Sequence, residues 1–300
     1  MNIKSKILIR KLLKVIPDKT YVKLQYYIKT HKKLDLDNPK TFREKVQWLK
    51  LYDRDPIYSM FVDKVACKEY LKEKIGEEYI IKTLGVYDKF SDIDFSKLPD
   101  KFVIKCTHDS GSVVVCDDKE EFMKNLNDHK KKIENCRKYD YYLSGREYHY
   151  KSVPRKIIVE EFLENEDKTN FLEYKLWCFY GDVKLINVVL KDETSPYGVV
   201  SNYYNSKWAP EELVFKFPRR KEEFKKPSQL KELMRIASLL SSKYPVMRID
   251  FYVVNNKIKI GELTIYHSSG YSPMTPDYYD TEIGSYISLE KIKKRNQKKK

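Results

Sequence analysis

The sequence predicts an α+β fold, and three observations predict it. Pairs of strand-like apolar runs joined by short polar turns recur from about residue 100 onward and read as antiparallel hairpins. Helix-period stretches are mixed among them, which argues against a doubly wound parallel sheet. The chain is 41% hydrophobic and 14% aromatic, ample for a packed core and unlike a disordered protein. Its 300 residues suffice for two domains, or for one large domain with lobes, and no internal repeat is visible.

In chain order, Ile3, Ile7, Leu8, Leu12, Leu13 and Ile16 recur at helical spacing with Lys4, Arg10, Lys11 and Lys14 between them, and Pro17 stops the run. This basic amphipathic helix suits either a bilayer interface or packing on the domain. Thr41-Phe-Arg-Glu44 is a capping box opening a helix through Val46, Leu49 and Leu51. A second helix is expected over 60–74, and Gly76 and Gly85 punctuate the chain beyond it. Phe102–Cys106 and Ser112–Cys116 flank the turn Thr107–Gly111 as a hairpin, and the very polar stretch 120–137 reads as helix. Lys156–Phe162 reads as a strand. Glu173–Tyr180 and Val183–Leu190 form a hairpin about Gly181-Asp182. A helix over 228–243 puts Leu230, Leu233, Met234, Ala237 and Leu240 on one stripe. The last hairpin runs from Arg248-Ile-Asp250, through a turn at Asn255-Asn256, to Gly261-Glu-Leu-Thr264.

The net charge of +15 sits at the ends: residues 1–50 carry +10 and residues 291–300 carry +7, so the body between is close to neutral. A folded nucleic-acid groove would place the excess in the body, so no nucleic-acid partner is expected. Basic ends suit an anionic membrane surface or polyanion, or a tail that is simply solvated. Five cysteines (Cys67, Cys106, Cys116, Cys136, Cys178) show no CxxC pair, which favours a reducing cytoplasm. No apolar run approaches the roughly 18 residues of a spanning helix. The N-terminus is a poor secretory signal.

Three constellations carry chemistry. Asp250 and Glu262 stand twelve residues apart on adjoining strands and can converge as oxygen ligands for Mg²⁺ carrying a nucleoside triphosphate. Arg248, two residues before Asp250, shares its face of the strand and sets a cationic fork beside them. The same residues also suit an ordinary surface hairpin. Lys105 lies inside an apolar strand, where a cation needs a partner or the surface. The small polar turn after it (His108, Asp109, Ser110, Gly111, Ser112) can present backbone N–H groups to phosphate oxygens or act as a plain bend. Glu160-Glu161-Phe162-Leu163 ends a β-branched strand and offers what an adenine slot needs: main-chain groups, apolar faces and a carboxylate. Lys175 repeats the cation-on-a-strand device. His108 and His267 flank the proposed site as acid–base groups or as satisfied histidines. Two Asp-x-Asp triplets, Asp35-Leu-Asp37 and Asp92-Ile-Asp94, keep a nucleotide-sugar glycosyltransferase in view. A non-catalytic membrane-bound binding module is the third reading.

The order of these parts is more specific than any one of them. Asn38–Phe42, Lys45–Asp55, Asp63-Lys64, Gly76–Tyr79, Leu98–Lys105, Gly145-Arg146-Glu147 and Gly261–Thr264 resemble the TupA-like ATP-grasp family over roughly residues 10–285. That family is named for teichuronopeptide synthesis and often sits among genes for surface polysaccharides. The resemblance implies two α+β lobes with the nucleotide between them, preceded by a short helical N-terminal region. On that basis residues 1–60 form the basic helical region, 61–158 the first lobe with a phosphate lid, 159–290 the second lobe with the metal site, and 291–300 a basic tail. It also implies ATP and Mg²⁺ as cofactors. Lys105 would contact the phosphates under the 108–112 lid, and Glu160, Glu161, Phe162 and Leu163 would form the adenine hinge. Asp250, Glu262 and Thr264 would bind metal, and Arg248 and Lys175 would act in catalysis.

Three departures stand out. Thr264 replaces a usual asparagine, His267-Ser-Ser-Gly270 replaces a proline-glycine turn, and the N-terminal domain is reduced to about sixty residues. The implied activity joins a carboxylate to an amine through an acyl phosphate. The expected acceptor is a uronic-acid carboxylate of a glycan or lipid-linked glycan, amidated by an amino acid or amine. The expected location is cytoplasmic, peripheral on the inner face of the membrane.

Overall fold

The computed structural model describes residues 13–298. The amphipathic stretch expected from residue 3 lies mostly outside the described residues, as do the last two residues of the tail. Ten α-helices and twelve strands make up the described chain. They are α1 (Asp18–Thr30), α2 (Phe42–Tyr52), α3 (Ile57–Val62), α4 (Lys64–Ile75), β1 (Thr83–Tyr87), β2 (Phe102–Cys106), β3 (Val114–Cys116), α5 (Lys119–Lys124), α6 (Leu126–Arg137) and α7 (Tyr142–Gly145). Next come β4 (Ile157–Glu161), β5 (Glu173–Phe179), β6 (Asp182–Lys191), β7 (Val199–Asn205), β8 (Pro210–Glu211), β9 (Val214–Phe215) and α8 (Leu230–Ser241). The chain closes with β10 (Met247–Val254), β11 (Lys257–Thr264), β12 (Met274–Thr275), α9 (Tyr278–Ser285) and α10 (Leu289–Lys298).

Two antiparallel sheets build two lobes. The smaller has four strands in the order β1-β4-β2-β3, and the larger has six in the order β11-β10-β5-β6-β7-β8. The small sheet and α6 enclose Phe102, Ile104, Ile133, Ile157 and Val159. The larger core gathers Leu176, Ile186, Ile249 and Phe251 under the α8 stripe of Leu233, Ile236 and Ala237, and Trp177 packs on Phe42 and Phe215 at the other face of the sheet. Phe42, Val46 and Leu49 of α2, and Tyr58, Phe61, Cys67 and Leu71 of α3 and α4, join this larger core. Residues 61–75, expected in the first lobe, therefore pack with the second. The small lobe begins at β1.

Local chemistry explains the elements and their breaks. The capping box forms as expected: Thr41 Oγ1 accepts from the Glu44 N–H, and Glu44 Oε2 accepts from the Thr41 N–H. The helix expected over 60–74 is two helices, because Asp63 Oδ1 accepts from the Val65 N–H and starts α4 afresh. The polar helix expected over 120–137 likewise divides at Asn125. Asn255 and Asn256 both take positive φ, as the tight turn of the last hairpin requires. Residues 291–298, expected as a tail, form most of α10, where Ile292 is buried and Arg295 pairs with Asp53 behind α2.

Candidate active site

The small lobe and α4 together supply cations around one buried carboxylate. Glu160 on β4 and Lys105 on β2 lie diagonally on neighbouring strands, and Lys105 Nζ meets Glu160 Oε2 at 2.7 Å. Lys68 of α4 meets the other oxygen and also donates to the Ile81 carbonyl at 2.6 Å. Burial pushes the Glu160 carboxyl up, but the two lysines outweigh it and hold the group below its usual range. The turn after β2 is braced from inside. Ser112 Oγ accepts from the Cys106 N–H at 2.8 Å and donates to Asp109 Oδ1 at 2.5 Å. Lys64 donates to the Asp109 carbonyl. Ser110 and Gly111 form the exposed tip, and Gly111 has φ +103°.

The larger sheet supplies acids and cations in one cross-strand row. Asp250 on β10 is the direct partner of Lys175 on β5 and of Glu262 on β11. Asp250 is 2% exposed and accepts from Arg248 Nε, from Arg248 Nη2 at 2.7 Å and from Lys175 Nζ at 2.8 Å. Burial opposes its charge, and Arg248 and Lys175 overcome that to keep the carboxyl below its usual range. Arg248 Nη2 also donates to Glu262 Oε1 at 2.7 Å, and the Glu262 side chain is 46% exposed. One guanidinium thus touches both carboxylates, which brings these two oxygen donors around a single positive group. Mg²⁺ commonly takes one or two carboxylates and fills its sphere with water and phosphate oxygens. Asp250 and Glu262 fit that pattern, although no group of three or more His, Cys, Asp or Glu gathers as a metal cluster among the described residues. Thr264 Oγ1 donates to Glu262 Oε1 at 2.6 Å, so it holds that carboxylate in place.

Both groups line one cleft. A cavity of about 390 Å³ is walled by Lys64, Lys68, Lys105, Asp109, Ser110 and Glu160 from one side and by Arg248, Glu262, Thr264 and His267 from the other. A second cavity of about 320 Å³ adjoins it through Lys105, Arg248 and Glu262 and adds Ser112, Lys175 and Asp250. A family model for TupA-like ATP-grasp proteins matches residues 44–288. The chain belongs to the TupA-like ATP-grasp family.

Solved structures similar to this ATP-grasp chain include the D-alanine–D-alanine ligase of Bacillus anthracis complexed with ATP. It shares 15% identity at a TM-score of 0.47, covering 79% of this chain and 68% of that one. The L-amino acid ligase of Bacillus licheniformis shares 15% identity at a TM-score of 0.45, covering 85% and 57%. No curated protein sequence matches the chain.

The remaining expected residues fall in different places around the ATP-grasp cleft. Among the four hinge residues Glu160 lines the cleft. Glu161 accepts from the Lys82 N–H at 2.8 Å, and Phe162 lies under Lys101, whose Nζ is 5.5 Å from the ring centroid. Leu163 is half-buried. His108 is buried and bonds the Tyr139 carbonyl through Nε2 at 3.1 Å, and it does not line the cleft cavities. His267 does line them. Burial and the charges of Arg248, Lys175 and Lys216 drive its pKa well below the usual histidine value, so the ring is neutral. Its Nδ1 faces Arg248 Nη1 and therefore accepts, which leaves the proton on Nε2. The Asp-x-Asp triplets turn inward on their own backbone. Asp35 accepts from the N–H groups of Asp37 and Asn38, and Asp94 accepts from that of Ser96.

Reading the sequence assigned no role to Lys64, Lys68, Lys216, Tyr141 or Tyr150, all of which line the cleft, and left Glu147 unexplained. One signal was available. Lys64 directly follows a capping aspartate, where the helix dipole disfavours a cation unless an anion or other partner offsets it. A further buried pair lies behind the cleft wall. Lys50 of α2 donates to Ser269 O and Oγ at 3.0 and 3.1 Å, and burial pulls its pKa down to about 7 against the pull of Glu147.

Proposed function

We propose that this protein is an ATP- and Mg²⁺-dependent carboxylate–amine ligase acting on a uronic-acid carboxylate of a cell-surface glycan or its lipid-linked precursor. The observation that carries the reading is that Lys105 and Lys64 of the phosphate side and Arg248, Asp250 and Glu262 of the acidic side line one cleft. Lys105, with the backbone of residues 108–112, would bind the phosphates. The Glu160–Leu163 segment would seat the adenine, and Asp250 and Glu262, with Thr264 steadying the latter, would hold the metal. Bound there, Mg²⁺ neutralises phosphate charge. Arg248 and Lys175 add fixed positive charge that costs no reorganisation during phosphoryl transfer. The substrate carboxylate attacks the γ-phosphorus, ADP leaves, and an acyl phosphate remains. An amine then attacks the acyl carbon, and phosphate leaves as the amide forms. Such chemistry needs positioned charge more than a protein nucleophile. The rival glycosyltransferase reading rests on Asp35 and Asp92 triplets that lie outside the cleft lining.

Differential scanning fluorimetry checks this reading. ATP–Mg²⁺ is expected to raise the melting temperature and UDP-sugars are not, because a ligand that binds only the native state stabilises it. ADP release that depends on both a uronate and an amine is expected to accompany it. Stabilisation by UDP-sugars alone would remove the ligase assignment. We also assign the basic N-terminal stretch to an anionic membrane surface on its charge and apolar spacing. Deleting residues 1–17 is expected to abolish co-sedimentation with anionic vesicles, and full retention would overturn this assignment. Among the described residues no helix is long and apolar enough to cross a membrane.

A further inference from the structure

The cleft lining mixes charges. Lys64, Lys68, Lys105, Lys216 and Arg248 stand among Asp109, Glu160 and Glu262, and several of them are paired. Another part of the same cavity is walled by Glu147, Tyr141, Tyr150, Ser268 and Ser269. Here one carboxylate stands beside two tyrosine rings: Tyr141 and Tyr150 meet edge to face with centroids 4.6 Å apart. Lys50 stands behind Ser269 and does not line the cavity.

The position of this wall is fixed from several sides. Ser268, Ser269 and Gly270 take positive φ in succession, a conformation that persists only where surroundings impose it. Gln47 Nε2 holds the carbonyls of Ser269 and Gly270 at 3.0 and 2.9 Å, and Lys50 holds Ser269. Gly145 lacks the side chain that would displace the Ser269 hydroxyl. Glu147, just past the end of α7, is thereby fixed against Ser269 and lies 3.3 Å from His149 Nε2. Burial pushes its carboxyl up. The hydrogen bond with His149, the Lys50 charge and the Ser269 hydroxyl outweigh that, so Glu147 stays below its usual range as an anion. Tyr141 and Ser110 both line the cavity, so this wall adjoins the tip of the turn after β2.

A carboxylate beside tyrosine rings recognises an ammonium group, by charge-assisted hydrogen bonding and by cation–π attraction. We infer that Glu147, Tyr141 and Tyr150 form the binding site for the amine substrate, received as its ammonium ion and passing one proton to the Glu147 carboxylate before it attacks, with Glu147 as the residue that selects cationic amines. This rests on the ligase reading and names the part of the cleft that takes the second substrate.

The test uses the full chain saturated with Mg²⁺ and a non-hydrolysable ATP analogue. The probes are the twenty amino acids, amino sugars and short diamines, each beside its N-acetylated form. At least one free amine is expected to raise the melting temperature while its acetylated form does not. Glu147→Gln is expected to weaken that amine's apparent affinity by about tenfold or more, as fits loss of a charged contact, with the ATP–Mg²⁺ shift unchanged. Tyr141→Leu is expected to weaken it in the same way, and it decides the matter if Glu147→Gln does not fold. Binding of none of these amines to the wild type, or affinity within about twofold of wild type in the deciding variant, would overturn the inference. A wild type that ATP–Mg²⁺ itself fails to stabilise removes the ligase reading instead, so the two failures are distinct.

Discussion

Replacing Asp250 with asparagine is expected to lower ligase turnover by about a thousandfold or more, and to lower the melting temperature as well. The double effect stems from the carboxylate's position. Asp250 is buried, and it is the shared counter-ion of the Arg248 guanidinium and the Lys175 ammonium. Asparagine keeps one acceptor oxygen and turns an N–H₂ group toward two cations. Leaving buried charges without their partner typically costs about 3–5 kcal/mol. Glu262→Gln gives the contrast. It removes the other proposed metal ligand from a half-exposed side chain, so it should reduce turnover and the ATP–Mg²⁺ shift with little change in the melting temperature of the free protein. Turnover is read as coupled ADP release and stability as the thermal midpoint. Asp250→Asn retaining a tenth of wild-type turnover would remove Asp250 from the catalytic site. Equal destabilisation by both variants would show that burial is not what separates them.

The largest purely structural effect is expected at Gly284. A Cβ placed there would stand 2.5 Å from the Lys40 carbonyl oxygen and 2.6 Å from the Phe42 nitrogen, both backbone atoms at the start of α2. Neither can swing aside as a side chain would. The contact is also the anchor between α9 and α2, where Lys45 Nζ donates to the Gly284 and Ile287 carbonyls at 2.8 Å and Arg43 Nε pairs with Asp280 at 2.6 Å. Gly284→Ala must push the helices apart, at a cost of about 2–4 kcal/mol, or roughly 3–6 °C in melting temperature for a chain of this size. The control is Thr281→Ala, on an exposed turn of the same helix, which should change stability by less than about 0.5 kcal/mol. Similar melting temperatures for the two variants would show that the helices are not held at this contact.

The parts of the fold that were legible in the sequence are those fixed by local rules. The capping box at Thr41, the turns at Gly181 and Asn255-Asn256, and the apolar stripe of α8 each arise from a few neighbouring residues. What was missed depends on distant partners. β1 contains Gly85 at an irregular register, which reads locally as a break, and it is a strand because β4 pairs with it. β7 runs through Ser201, Asn202, Tyr203 and Tyr204 without polar–apolar alternation. The buried Asn202 is satisfied by Glu223 and, through its carbonyls, by Asn187 and the Arg220 N–H, from other segments. The division at Asp63 turns on a single side-chain cap. At the cleft, Arg248, Asp250 and Glu262 were found because strand alternation and a hairpin turn place them together. Glu147 and Lys50 were left without a role because nothing local distinguishes a buried, cleft-side charge from a solvated one.

The pairing of β1 with β4 has a consequence for the architecture. The chain enters the smaller lobe at Lys82 and leaves it at Glu161, and these residues are bonded to each other: the Glu161 N–H donates to the Lys82 carbonyl at 3.0 Å. Topologically the lobe is an insertion. Excising it would leave two ends already in contact, which a short linker could close without stretching what remains. Such a shortened body would keep Lys64, Arg248, Asp250 and Glu262 while losing Lys105 and Glu160, dividing the cleft lining between two pieces.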